Sequence, residues 1–186
     1  MTKIIKLLFV TVLMSFATSF ASSAKADYHA GTRPFYGVKY DSSVTGTNFT
    51  YNGVTYRYRD MYDKARAEWE YYGISLGRTE HSFADIYYVG STSDPSLLGR
   101  VFPVNGYGDN VSMDSNWTYV RVYIYHNVMT SFKMSDKERF SNATHEVGHT
   151  VKMKHPVSYT GSSVMKQGIQ SIGTTAWDIN ELGKKW

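Results

Sequence analysis

The sequence predicts an α+β fold, and three observations predict it. Short β-rich runs at residues 35–40, 49–58, 86–89 and 117–128 are dense in Val, Ile, Tyr and Phe. Two stretches, 60–72 and the one that opens at Ser135, space their apolar residues as a helix does. No linker, repeat or charge block interrupts residues 27–186, which points to one domain with its own core.

Taken in order, Asn52-Gly53 is the strongest hairpin signal, because a two-residue type I′ loop needs two positive φ angles. Met61, Ala65 and Trp69 then share a helical face, and Gly73 stands where a helix C′ residue would. Residues 117–128 place Val120, Val122, Ile124, His126 and Val128 on one side of a strand, with Tyr119, Tyr123 and Tyr125 on the other. Ser135 and Glu138 form a capping box, followed by an apolar stripe of Phe140, Ala143, Val147 and Val151. Thr175 and Asp178 form a second box, opening a short last helix to about Gly183. The 16 tyrosines are read as sheet packing, with a glycan- or peptide-binding surface as the alternative.

Residues 1–26 read as a secretory signal. Lys3 and Lys6 precede an apolar run from residue 7 to residue 16, and Ala24-Lys25-Ala26 supplies a small-x-small cleavage pattern. A membrane anchor needs about 20 apolar residues, whereas Thr11, Ser15, Thr18 and Ser19 interrupt this one. Losing Lys3, Lys6 and Lys25 with no acid lowers the formal charge from +4 to +1, which removes the case for nucleic-acid binding. With no cysteine, the secreted chain is held by packing rather than disulfides, and a bacterial, extracellular setting is expected.

The chemistry lies in His145-Glu146-Val147-Gly148-His149, with His155 six residues on. Histidines four apart leave one helical face about 5–6 Å apart, close enough to share a metal ion. Zn²⁺ takes neutral imidazole nitrogen at about 2.0–2.1 Å and keeps a fourth position open in catalytic sites. His155 supplies the third ligand, and Glu146 stands where it can take a proton from water. Chance produces this three-histidine pattern in roughly 1 chain in 5,000 of this composition, so spacing rather than composition carries the reading. His126 reads as a hydrogen-bonded structural residue, and His29 and His81 as exposed.

Residues 145–165 resemble the metzincin clan of zinc endopeptidases, whose signature is H-E-x-x-H-x-x-G-x-x-H followed by a Met-containing turn. His145, Glu146, His149 and His155 match the motif, and Ser163-Val164-Met165 matches the Met-turn. Residues 65–86 and the run Trp177-Asp178-Ile179-Asn180 are similar to the matrixin branch. The resemblance implies a twisted, mostly parallel sheet with an antiparallel edge strand, packed on an active-site helix, with a small C-terminal subdomain. It also implies that Met165 forms a hydrophobic floor under the metal, and that substrate adds along an edge strand near residues 98–104.

Departures from the pattern are local. Lys152 replaces the glycine that lets the chain turn toward the third ligand, and reads as a solvent-facing residue. Arg100 and its neighbours replace the histidines of the matrixin structural zinc, which is not carried over. Gln167 stands where a fifth tyrosine ligand would be. Asp94, Asp109, Asn110 and Asp114 offer oxygens of the kind Ca²⁺ takes, or are solvated turn residues. The expected function is a secreted, monomeric zinc endopeptidase acting on polypeptide, with no membrane contact once the signal is removed. The alternative is a catalytically weak or inactive zinc-fold protein that binds surface glycan or polypeptide.

Overall fold

The computed structural model describes residues 27–186, so the signal read at residues 1–26 lies outside the described part. The elements run β1 (Val38–Tyr40), α1 (Ser42–Gly46), β2 (Asn48–Tyr51), β3 (Val54–Arg57), α2 (Tyr58–Ala67), β4 (Asp85–Gly90), β5 (Gly99–Val104), β6 (Tyr119–Tyr125), α3 (His126–Ser131), α4 (Asp136–Thr150) and α5 (Ala176–Lys185). The main sheet has the order β1-β4-β6-β5, with β1–β4 and β4–β6 parallel and β5 antiparallel at the edge. Among the described residues, no helix is long and apolar enough to cross a membrane.

The expected sheet is corrected in extent. It is small and mixed, and β2–β3 form a separate two-stranded sheet. β1 is only three residues long. Pro34 has no N–H to offer a ladder, and Gly37 sits at φ 86°, so the chain straightens only at Val38. In the hairpin, Asn52 and Gly53 adopt φ 48° and 78°, the pair of positive angles a type I′ loop requires.

Three boundaries also differ from the sequence reading. α2 stops at Ala67 because residues 68–74 fold into successive turns, with Trp69 N bonded to Arg66 O and Ile74 N to Tyr71 O. The Trp69 side chain is thereby drawn into the core, where its indole donates to Thr144 O at 2.8 Å. His126 opens α3 instead of continuing the strand, and its Nδ1 lies 3.0 Å from the Tyr58 hydroxyl. α5 runs past Gly183 to Lys185.

Both capping boxes form, at Ser135/Glu138 and Thr175/Asp178. The core lies between one face of the sheet and the helices. Tyr87 and Val89 of β4 and Val120, Val122 and Ile124 of β6 meet Ala65 of α2 and Ala143 and Val147 of α4. Each buried aliphatic side chain of this size contributes about 1.5–3 kcal/mol over leaving it in water. The tyrosines divide. Tyr58, Tyr62 and Tyr87 are fully buried, whereas Tyr88 and Tyr123 stack at 4.5 Å on the sheet's half-open outer face.

Ahead of β1, residues 27–33 run as a strap beside the chain that follows α4. Tyr28 bridges Met153 antiparallel, His29 N donates to Lys152 O at 2.7 Å, and Lys154 N donates to Asp27 O at 2.9 Å. Arg33 ends the strap in a buried bidentate pair with Asp85, and its Nη1 also donates to Thr150 O, a carbonyl in the last turn of α4.

Candidate metal centre

His145 and His149 stand one turn apart on α4, and His155 arrives from the loop after it. The three Nε2 atoms converge, at 3.0 Å for 145–155 and 3.2 Å for both 149–145 and 149–155. His145 Nδ1 lies 2.8 Å from Val164 O, and His149 Nδ1 lies 2.8 Å from Met153 O. A carbonyl only accepts, so each Nδ1 carries the proton and each Nε2 presents a lone pair.

Burial keeps the set neutral. It holds the His145 imidazole down at about 4, and it drives His149 and His155 below the usual histidine range as well. The His145 and His149 lone pairs face one another at 3.2 Å and repel unless a cation or a donated proton lies between them. Four nitrogens at about 2.05 Å around Zn²⁺ would lie roughly 3.3 Å apart, so the observed spacing fits a zinc ion to within a few tenths of an ångström. Among the described residues, this is the group of histidine and carboxylate side chains arranged to hold a metal.

Glu146 faces the same cavity, of about 630 Å³, together with Leu98, Gly99 and Val101 from the sheet edge. Burial pushes its carboxyl up to about 8. A side chain at Gly99 would collide with the Glu146 carboxyl, so glycine there lets the acid lie against the edge strand.

Met165 is fully buried, and a side chain at Gly148 would strike its sulfur and the Trp69 ring. Glycine inside α4 therefore lets the 163–165 turn close against the helix that carries His145 and His149. That turn is hung from Asp178, which accepts from Ser163 Oγ at 2.6 Å and Val164 N at 3.1 Å. Asp178 thus fixes the carbonyl that orients His145, a role that its helix-capping position in the sequence does not show.

Lys152 differs from its sequence reading, being buried rather than solvent-facing. It sits at φ 71° as the C′ residue of a Schellman motif, with Lys152 N bonded to His149 O and Met153 N to Gly148 O. It thus makes the left-handed turn expected of glycine. Its ammonium donates to Ala30 O, Met113 O and Ser115 O at 2.8, 3.2 and 2.7 Å and lies 3.5 Å from the Trp117 ring centre.

The remaining candidates disperse. Asp94 binds Ser96, Asp109 binds Asn105, and Asp114 binds His29 and Ala30, so the oxygen set considered for Ca²⁺ is not gathered at one point. His29 is half-buried on the rim of the cavity rather than exposed. Asn142 of the Asn-Ala-Thr triplet is buried, donating to Leu98 O at 3.2 Å.

No family model matches this chain, and no curated protein matches it. Among solved structures it is similar to a chain of one described as "GM1 bound form of the ECX AB5 holotoxin". The TM-score is 0.51 and the identity 17%, over 88% of this chain and 81% of that chain. At that identity the likeness shows the fold alone. The metzincin-like fold class expected from the sequence is corrected on this finding: the fold shown is that of a holotoxin chain, here built on a small mixed sheet.

Proposed function

We propose that this chain is a secreted zinc-dependent endopeptidase, with His145, His149 and His155 holding one Zn²⁺ and Glu146 acting as general base. One observation carries the reading: three imidazole Nε2 atoms meet at 3.0–3.2 Å beside a buried acid, in a cleft bordered by a sheet edge. The metzincin-type spacing of the same residues supports it.

When bound, zinc supplies a Lewis acid that polarises a carbonyl and makes a water more acidic. Glu146 takes the proton of the attacking water as the C–O bond forms, and delivers it to the amine nitrogen as the C–N bond breaks. Burial alone favours the protonated acid, whereas positive charge at the triad favours the carboxylate. The base is therefore ready only in the loaded site. The edge strand β5 offers an extended peptide a backbone to pair with, and its residues 99–101, with Leu98 just before it, line the cleft.

Incubation with casein or a mixed peptide library tests the proposal. Cleavage that stops with a chelator and returns with zinc is expected, and a zinc-loaded chain that cuts nothing overturns it.

A second reading, a zinc-fold protein that binds surface glycan or polypeptide without turnover, is favoured by the outer sheet face. There the Arg100 and Arg121 guanidinium groups lie over Phe102 and Tyr119 at 4.8 and 5.9 Å. Neither has a carboxylate partner among the described residues. GM1, named for the holotoxin structure, is the first ligand to test against that face.

A further inference from the structure

Lys152 joins three parts of the molecule that have no covalent reason to stay together. Its backbone makes the turn that ends α4. Its ammonium reaches the strap at Ala30 and the 112–116 loop at Met113 and Ser115. An ammonium has three N–H groups, and each finds one carbonyl here. A left-handed lysine costs roughly 1–2 kcal/mol relative to the right-handed form. Glycine would avoid that cost, so a conformational requirement alone does not account for lysine.

The contacts of the strap give the reason. Residues 27–29 pair with residues 152–154, the segment that carries the chain from α4 to His155. Asp27 Oδ1 accepts from Val157 N at 3.3 Å, so the strap holds the chain on both sides of His155. From Ala30 on, the strap is also held from elsewhere: Ala30 N donates to Asp114, Thr32 N to Asn116, and Lys185 Nζ to Gly31 O at 2.6 Å. Lys152 both shapes the turn and, through its side chain, ties the strap to the 112–116 loop.

We propose that Lys152 is a positioning residue for His155: its ammonium clamps the strap against the 152–154 segment and so fixes where the third imidazole points. The proposal rests on the zinc reading for its use, but its geometry is testable without metal. Lys152→Met removes the charge at similar length, and Lys152→Gly restores conformational freedom without the clamp. Asp27→Ala is a milder change that leaves Lys152 in place.

The first readout is the imidazole ¹H–¹⁵N spectrum of the metal-free chain. In both Lys152 variants the His155 signals should shift and broaden most. Those of His149 should move less, because its Nδ1 lies against Met153 O in the same segment, and those of His145, held by Val164 O, should stay. Asp27→Ala should show a smaller change. The second readout is zinc affinity by chelator competition, with Co²⁺ absorption as the coordination signature. Affinity should fall about 10–100-fold, the range found when a partner that orients a ligand is lost, and the Co²⁺ bands should weaken.

Unchanged His155 signals in Lys152→Gly and Asp27→Ala overturn the proposal, even if the variants melt earlier. Wild-type affinity in Lys152→Gly overturns it too, since only the turn would then matter. If the wild-type chain takes up no metal while His155 still shifts in the variants, the positioning role stands and the zinc reading falls.

Discussion

His145 and His149 reach the centre of the triad from one turn of α4, whereas His155 reaches it from the loop beyond, and the two approaches are held by different means. The helical pair is set by backbone hydrogen bonds within α4, by the Ser135/Glu138 capping box at its start, and by burial of Ala143 and Val147 behind it. The loop imidazole depends on Lys152, on the strap at residues 27–33, and on carbonyls of the 112–116 loop. A local element thus supplies two imidazoles at little cost in order, while the third is recruited by contacts between segments distant in sequence. The pair also borrows tertiary support, since Val164 O and Met153 O fix the rotation of its rings.

The comparison can be broken most severely at the helix. His149→Ala should abolish zinc binding and turnover together, because the two remaining imidazoles leave the metal without its set of three; metal analysis and a peptide assay read both losses. Glu146→Gln should separate them. Zinc stays bound while turnover drops about 10²–10⁴-fold, the usual share of a general base, and activity retained in that variant would end its assignment.

Asp178→Asn sharpens the comparison by attacking the support of a helical imidazole from outside the helix. It weakens the hold on Val164, whose carbonyl orients His145. Zinc affinity should fall about 10–100-fold, measurable by chelator competition. An unchanged affinity would mean that α4 alone fixes His145.

The smallest expected effect is on pH dependence without metal. The three histidines are held below the ordinary value near 6.5, His145 at about 4. The unfolded chain therefore takes up protons first, and stability present above pH 6.5 is lost as pH falls from there toward 4. Melting curves of chelator-treated protein across that window should show the decline. A Tm that rises on acidification there would contradict neutral, buried imidazoles.

What could be read in the sequence follows the same division. The i, i+4 pair, both capping boxes and the Asn52-Gly53 turn are local features, and each forms where its spacing places it. The burial of Lys152 could not be read locally, because the carbonyls that accept from it lie at Ala30, Met113 and Ser115. The end of α2 at Ala67 departs from the helical spacing for a related reason. Trp69 continues the helical spacing, yet its indole reaches Thr144 O only once the chain has left the helix. Asp178 was visible as a cap, but its bonds to Ser163 and Val164 require α5 to dock under the 163–165 turn.

The central claim is that helix and loop together present three imidazoles to one zinc ion. Zinc-edge X-ray absorption on the purified, zinc-loaded chain tests it most directly. The account predicts one zinc per chain with three imidazole nitrogens and one further light atom at about 2.0–2.1 Å. A chain that retains no zinc, or whose zinc shows only two imidazoles, would contradict it.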